Sequence, residues 1–487
     1  RPGAVGYDVT GTLAALRSET LVPGRVLTSD RLALDIDPTE LVLEGRAALD
    51  GVPFSGAFRL PIGPDAGPAG VRARAPLSAG TAGTFGVVLP PGALSGETEA
   101  EVALTLGRGR APELALGSTL EGLALRLPGL GWSKPAAASG RLELVGRLGF
   151  QGAPPAFDTV TLEAPGLAAR GRLALAPGGG FDRLTLETAR LGGWFDGALA
   201  LVGRGAGRPP AVELSGGTLD LAAAGFGGEG AGGSGGGPPP VTGRLDRLAL
   251  AEGVALTGVT ADLAPSGGAL VGPFRGRLDG GPPVTGELGP GQGGRPSVRV
   301  QTGDAGRALA AAGAFEAAQG GTLTLTLTPE AQQGAWRGAL EVAQIRVTAA
   351  PGLAALFNTL SVVGLLERLK GPGLLFSAIE ASFRLTPGAV QLTSASAVGP
   401  ALGISADGIY DMAKDRIDIQ GVLSPIYFVN SIGQIVSREG EGLFGFNYRV
   451  RGPAGSPAVT VNPLSILTPG AFRQIFRAAP PELPEGR

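Results

Sequence analysis

Short stretches in which apolar and polar residues alternate run through most of this 487-residue chain. At residues 32–37, 142–148 and 323–328, every second residue is Leu, Ile or Gly. A period of two places successive side chains on opposite faces of a β-strand, so each stretch predicts a strand with one apolar and one polar face. This pattern is typical of antiparallel sheets with one solvated face. The strands are too numerous for one compact core, which suggests a long apolar surface.

Glycine and proline punctuate these stretches. The 85 Gly and 41 Pro make up about a quarter of the chain, near the level that suggests low complexity, yet 43% of the residues are hydrophobic. Many short strands joined by tight turns account for this composition, and we predict a mainly β fold. One stretch differs, because residues 225–240 have almost nothing to bury and predict a flexible Gly/Pro-rich loop.

The same pattern on both sides of this loop gives the predicted organisation of the chain. Residues 1–224 and 241–302 are predicted to be β-rich segments that contribute to one extended surface. Residues 303–477 form a C-terminal region of strands and helices, and residues 478–487 form a disordered tail.

Two missing residue types exclude much chemistry. The chain has no His and no Cys, which removes Ser-His and Cys-His nucleophilic sites, thiolate metal sites and disulfides. Residues 232–236 match the G-x-S-x-G spelling of a nucleophile elbow, but they lie in the predicted loop with no strand before them. We therefore expect no enzymatic activity, no catalytic residue and no cofactor.

The charges are few and dispersed. Net charge is −2 and only 17% of the residues are charged, with no basic patch that would indicate a nucleic-acid partner. Asp407, Asp411, Asp415 and Asp418 cluster around a predicted hairpin, but their spacing does not match an EF-hand loop. We interpret them as solvated turn carboxylates and predict no metal site.

The C-terminal region contains the predicted helices. Asp304 is a candidate N-cap for a short helix over residues 305–312. A longer apolar helix is predicted over residues 352–369, and further short helices near residues 431–436 and 471–477. The long helix either caps a sheet or contacts a membrane or lipid, and it is too short to span a bilayer. The residues that would make a membrane or lipid contact are Leu353, Leu356, Phe357, Leu360 and Val363.

The alternation of side chains between the two faces of a strand, which we call strand parity, also predicts which side chains line the apolar surface. Within each strand the chosen residues share one face, although parity alone does not decide whether that face is open. The predicted lipid-binding residues are Leu323, Leu325, Leu327, Leu340, Val342, Ile379, Phe383, Leu385, Ile417 and Ile419.

The order of segments over residues 303–477 resembles the C-terminal region of the AsmA-like family, which includes the YhdP-type and TamB-type envelope proteins of Gram-negative bacteria. The matching segments are the helix at 353–369 with Gly371-Pro372-Gly373, then residues 403–408, 421–430, 439–444 and 461–465, with Pro469-Gly470. Each motif is a turn or cap signature, and their number and order carry the resemblance.

The resemblance implies an elongated, curved antiparallel β-sheet groove, an open trough with an apolar lining and a few short amphipathic helices near the C-terminus. It implies a periplasmic bridge-like protein that carries phospholipids between the inner and outer membranes and maintains outer-membrane integrity. The expected partners are phospholipids, one or both membranes, and envelope proteins at the outer membrane. Family members are usually tethered to the inner membrane by an N-terminal helix, which would lie outside this chain.

Two alternatives stay open at this point. In a structural or adhesive exported protein, the alternating faces would form the closed core of two packed sheets, which is the commoner use of the pattern. A polysaccharide-acting β-helix enzyme would need carboxylates beside exposed aromatic residues, yet aromatic residues make up only 5% of the chain.

Overall fold

The computed structural model describes residues 6–22, 24–87, 92–127, 132–177, 180–205, 207–224, 237–332, 334–348, 350–359, 363–425 and 445–467. Strands account for 63% and helices for 7% of the structure, which confirms the mainly β prediction. The chain divides into two compact units, residues 1–245 and residues 246–487.

The first unit is a run of strands with one short helix. Its elements are β1 (Val9–Ser18), β2 (Leu27–Ile36), β3 (Glu40–Leu49), β4 (Val52–Pro61), β5 (Ala69–Ser78), α1 (Ala79–Thr84), β6 (Leu94–Leu106), β7 (Glu113–Ser118), β8 (Leu123–Leu127), β9 (Trp132–Lys134), β10 (Arg141–Arg147), β11 (Ala156–Ala164), β12 (Leu167–Leu175), β13 (Phe181–Leu191), β14 (Phe195–Val202) and β15 (Ala211–Asp220). β16 (Val241–Ala251) contains the boundary between the two units.

Consecutive strands of this unit pair antiparallel from β1 to β7, and β7 then pairs with β10, from which the order continues to β15. Among the described residues no pairing joins β1 to β15, so this sheet is open. α1 was not predicted, because its AGTAGT sequence has no apolar period. Ser78 caps its N-terminus by accepting a hydrogen bond from the Thr81 backbone N–H at 3.2 Å.

β8 and β9 form a hairpin that leaves the main order and pairs with the start of β6. Lys134 anchors it: the side chain is 1% exposed, and its Nζ donates to the carbonyl oxygens of Leu120 and Leu123, both at 2.7 Å, and of Pro135 at 3.2 Å. Burial lowers the pKa of Lys134, and the charge of Glu121 opposes that shift. The ammonium group thus satisfies three backbone acceptors beneath the hairpin.

Replacing Lys134 with Met is expected to destabilise the protein by about 2–3 kcal/mol, because buried carbonyl oxygens lose their donor while the side-chain volume is kept. The measurement is chemical denaturation followed by circular dichroism. Ser133→Ala, on the exposed neighbour in the same strand, is the control and should change stability by less than about 0.5 kcal/mol. Equal stability of the two variants would show that the ammonium group does not hold the hairpin.

The second unit is also a run of strands, and it contains the other helices of the described residues. Its elements are β17 (Val254–Ser266), β18 (Ala269–Leu278), β19 (Pro283–Gly289), β20 (Ser297–Thr302), α2 (Ala305–Ala311), β21 (Ala318–Gln319), β22 (Thr322–Pro329), β23 (Trp336–Val347), α3 (Pro351–Thr359), α4 (Val363–Lys370), β24 (Leu374–Thr386), β25 (Ala389–Val398), β26 (Leu402–Asp411), β27 (Arg416–Pro425), β28 (Phe446–Pro453), β29 (Ala458–Asn462) and a 3-10 helix (Pro463–Leu467).

The main strands of this unit also pair in chain order, all antiparallel. The order runs from β17 to β20, then β22 to β29, while β21 pairs with the end of β23. Among the described residues no pairing joins β17 to β29, so this sheet is also open. The open antiparallel sheet confirms the predicted fold class, and the predicted length and curvature of the trough stay predictions.

The helices follow the sequence prediction in part. α2 begins where predicted, with the Asp304 carboxylate accepting from the Arg307 backbone N–H at 3.1 Å. The single helix predicted over residues 352–369 is instead two helices, α3 and α4, with residues 360–362 outside the described residues. Several other predicted segments also lie outside the described residues: the helices near 431–436 and 471–477, the tail at 478–487 and most of the loop at 225–240. The last part of that loop, residues 237–240, is described and has no regular structure.

Candidate functional site

Cross-strand register assembles one continuous apolar face in the second unit. Residues directly opposite each other in an antiparallel pair lie on the same face of the sheet, so partners can be followed from strand to strand. One such row crosses twelve strands: Ala261, Phe274, Gly286, Val300, Leu325, Leu340, Ala381, Ala395, Ala406, Gly421, Tyr448 and Val461.

A second row lies two residues away along the strands, or three on β25 where the register shifts, and is also uncharged. It consists of Gly272, Leu288, Val298, Leu327, Gly338, Phe383, Leu392, Gly408, Ile419, Val450 and Val459. We call the face formed by these two rows the apolar face. Because adjacent strands are ~4.8 Å apart, each row presents an apolar group at that interval across the sheet.

The opposite face of the same strands is polar. A row that adjoins the first apolar row, on the side away from the second, includes Thr285, Gln301, Thr324, Glu341 and Glu380. Successive residues of a strand point to opposite faces, so the charged side chains lie on one side. The second unit is therefore a sheet with one polar and one apolar face.

The first unit shows the same arrangement in its own sheet. A row of directly paired residues crosses thirteen strands without a charged side chain: Gly11, Leu34, Leu43, Phe58, Val71, Leu104, Leu114, Gly146, Phe157, Leu173, Leu184, Leu201 and Val212. Each unit thus has an apolar face of its own, and the predictions from strand parity extend well beyond the C-terminal region.

All ten residues predicted to bind lipid belong to a single face of the second unit. Leu323 pairs with Val342, and Val342 pairs with Ile379. Leu385 and Ile417 lie near one end of β24 and β27, two residues beyond Phe383 and Ile419 of the second row, and therefore point to the same face. The structure therefore brings the predicted residues together, and their role in binding stays a prediction.

Exposure varies along this face. Leu323 and Val342 are 9% and 4% exposed, whereas the other eight predicted residues are only half-buried. In two packed sheets, the inward residues at the middle of the strands form the buried core. Among the predicted residues, full burial is confined to one end of the strands, so the middle of the apolar face on β22–β24 is only partly covered. Farther along the first row, Gly421 and Tyr448 are buried.

The buried end lies under a helical cap, by which we mean α3 and α4. Leu356, Phe357 and Leu369 are 2%, 0% and 1% exposed and belong to one hydrophobic cluster with the sheet. The cluster also includes Ile345 and Leu423, near the ends of β23 and β27, and Phe376 and Leu402, near the starts of β24 and β26. These strand ends meet at the same edge of the sheet. The cap is packed on that edge of the apolar face.

The cap changes the interpretation of the five helix residues. Leu356 and Phe357 face the sheet and are not available to a membrane while the cap is in place, and Leu353 packs against the same cluster. Leu360 lies outside the described residues, and Val363 is the first residue of α4. The placement of α3 agrees with the first interpretation, a helix that caps a sheet.

The carboxylates near the β26–β27 hairpin each have their own partner. Asp411 accepts from Lys414 Nζ at 2.9 Å and Asp415 accepts from the Tyr410 hydroxyl at 3.1 Å. Asp407, which is buried, accepts from Gln420 Nε2 at 3.0 Å. Within the described ranges, no group of three or more candidate metal ligands is present.

Asp418 is the most constrained of these acids. Its Oδ1 accepts from the Nε atoms of Arg449 and Arg451, both at 3.0 Å, and its Oδ2 accepts from Arg449 Nη2 at 3.1 Å. Burial raises the pKa of Asp418, but the two guanidinium groups outweigh it, so its pKa is lower than usual. The interaction ties β27 to β28 on the polar face.

Asp418→Asn is expected to destabilise the protein by about 1 kcal/mol at pH 7, because the ion pairs are partly solvated. A carboxylate whose pKa is lowered by folding stabilises above its unfolded value of about 3.9, and this contribution disappears as pH falls through the folded value. Denaturation at pH 7 and pH 3 should therefore show a difference between wild type and variant that shrinks in acid. A constant difference would contradict the ion-pair account.

Sequence reasoning missed part of the apolar face. Val298 and Val300 of β20 alternate in an SVRVQT segment, so strand parity could have identified them. Leu392 belongs to a strand whose apolar residues are spaced irregularly, and Val459 to a strand of only five residues. Only the register shows that these side chains continue the same rows.

Comparison with family models, with curated proteins and with solved structures finds no match to this chain. None of the helices within the described residues has both the length and the apolar character needed to cross a membrane.

Proposed function

We propose that this protein is a periplasmic bridge-like lipid transfer protein, which carries phospholipid acyl chains along its apolar face between the inner and outer membranes. Outer-membrane integrity would depend on that transport. The observation that carries the proposal is an uncharged apolar face, continuous over twelve strands of the second unit, whose central residues on β22–β24 are only half-buried.

The energetics favour such a surface for this cargo. A phospholipid that leaves a bilayer exposes its acyl chains at ~0.8 kcal/mol per CH₂, so two chains amount to tens of kcal/mol. A continuous apolar strip removes most of this barrier, provided that neighbouring positions bind about equally well. The apolar rows offer Leu, Val, Ile, Phe, Ala and Gly in succession, with no charge to interrupt them.

The polar head group has a suitable place in this arrangement. It would remain in water above the half-buried side chains, so no charged recognition site is required. The resemblance of residues 303–477 to the AsmA-like family supports the same function and extends it. It suggests a periplasmic location, tethering to the inner membrane through a helix outside this chain, and contact with envelope proteins at the outer membrane.

The alternative is a structural or adhesive exported protein with a closed core. It predicts that the central residues of the strands are the most buried, because a second sheet covers them. The half-buried Leu325 and Leu340 favour the lipid-transfer proposal over this alternative.

Site-specific photo-crosslinking tests the proposal in cells. A photoreactive amino acid at Leu340 is expected to crosslink phospholipid, because it lies in the middle of the apolar face. The same group at Glu341, one residue further along β23, points to the polar face and should give little lipid product. Equal lipid labelling at both positions, or labelling at neither, would overturn the proposal.

A further inference from the structure

Aromatic rings on the apolar face lie across glycine residues of the neighbouring strand. Phe383 of β24 is directly opposite Gly338 of β23. A Cβ atom added to Gly338 would lie 2.1, 2.3 and 2.7 Å from the Cζ, Cε2 and Cε1 atoms of Phe383. The far end of the ring therefore occupies the place that any other residue at position 338 would fill.

The backbone does not explain this glycine. Gly338 does not have the left-handed φ that favours glycine, and the three atoms nearest to its missing Cβ all belong to the Phe383 ring. Gly272 is different, because it has a φ of 141° and a Cβ there would lie 2.1 Å from the Asp262 carbonyl oxygen. At Gly338, the nearest obstacle to a side chain is the Phe383 ring.

The arrangement recurs on the same face. Phe274 of β18 is directly opposite Gly286 of β19, and a Cβ on Gly286 would lie 2.2 Å from the Phe274 Cζ atom. It would also lie 2.7 Å from the Arg299 carbonyl oxygen, so at Gly286 the backbone contributes to the requirement for glycine. Both glycines and both rings belong to the two apolar rows. A ring that lies along the sheet adds apolar area to the surface without projecting from it. If a side chain replaced the glycine hydrogen, the ring would have to rotate away from the sheet and project from the apolar face.

We propose that Gly338 is a positioning residue that holds the Phe383 ring flat, so that an acyl chain can pass over β22, β23 and β24, and that Gly286 does the same for Phe274. This inference rests on the proposed function. The two glycines keep the surface low at the positions where the two phenylalanine side chains of the rows would otherwise obstruct the cargo.

Gly338→Ala tests the inference because it displaces a side chain without straining the backbone. The purified full chain is loaded with a phosphatidylethanolamine that carries a diazirine on one acyl chain, irradiated and digested. Mass spectrometry then gives the labelling of the β22–β24 peptides relative to those of β26–β28. Labelling of β22–β24 in Gly338→Ala is expected to fall at least fivefold relative to wild type. Gly364→Ala, on an exposed helical glycine with no atom within 4 Å, should label as wild type does.

A second substitution separates the ring from a general disturbance. In the double variant Gly338→Ala with Phe383→Leu, no ring remains to turn outward, so labelling of β22–β24 should return to at least half of the wild-type value. Unchanged labelling in Gly338→Ala, or no recovery in the double variant, would overturn the role of Gly338 and leave the proposed function standing. An absence of acyl-chain labelling anywhere on the wild-type apolar face would overturn the proposed function itself.

Discussion

Leu325→Asp is expected to weaken phospholipid binding by about tenfold or more, because it places a carboxylate in the middle of the apolar face. An acyl chain that covers this position would have to desolvate a charge, and a loss of about 1.4 kcal/mol already corresponds to tenfold. Leu325 is half-buried, so the carboxylate can reach water when no lipid is bound and the fold should persist. The measurement is titration of the purified protein with a fluorescent phospholipid.

Thr324→Asp is the matched control for this substitution. Thr324 is the preceding residue of the same strand, and it pairs with Gln301 and Glu341 on the polar face. The introduced charge is the same, and only the face differs. Similar losses of affinity in both variants would mean that binding does not occur on the apolar face, and unchanged affinity in Leu325→Asp would have the same meaning.

Phe357→Ala is expected to lower the free energy of unfolding by about 3–5 kcal/mol, the range for a large aromatic side chain removed from a packed core. Phe357 is 0% exposed and belongs to the cluster in which the helical cap contacts the sheet. Loss of the ring leaves a cavity beneath α3, so the cap should separate from the sheet before the strands unfold. Denaturant titration monitored by circular dichroism measures the change.

Asn358 provides the control for the cap, because it follows Phe357 in α3 and is exposed. Asn358→Ala should change the free energy of unfolding by less than about 0.5 kcal/mol. If Phe357→Ala were no more destabilising than Asn358→Ala, the cap would not be held by the cluster. Leu356 and Phe357 would then be free to take the membrane-contacting role that their sequence pattern also allows.

Local alternation was sufficient to predict regular strands such as β22 and the faces of their side chains. In β22, leucine and threonine alternate over the whole strand, and the structure places Leu323, Leu325 and Leu327 on one face. The same reasoning succeeded for α2, because an N-cap aspartate and a run of alanines are local signals. These features depend on residues within a few positions of each other, which is what a sequence displays directly.

Features that depend on pairing between strands could not be predicted in the same way. Phe383 and Gly338 are distant in the sequence, and their contact follows from the register of β23 with β24. The anchoring of the β8–β9 hairpin by Lys134 likewise requires carbonyl groups that only the folded hairpin brings together. A buried lysine without this context looks like any surface lysine.

The packing of α3 and α4 has a similar origin. Residues 352–369 read as one apolar segment, yet the structure has α3 ending at Thr359 and α4 beginning at Val363. Helical propensity is a weak guide where packing on a sheet determines the path of the chain. Two short helices place Phe357 and Leu369 in the same cluster.

Native mass spectrometry of the purified full chain, combined with lipid extraction from the same sample, tests the central claim most directly. The account predicts several bound phospholipids per protein, present in wild type and Thr324→Asp and largely lost from folded Leu325→Asp. A well-folded wild-type protein that carries no lipid would contradict the account. The apolar face would then be part of an ordinary protein core or contact surface, as the structural alternative requires.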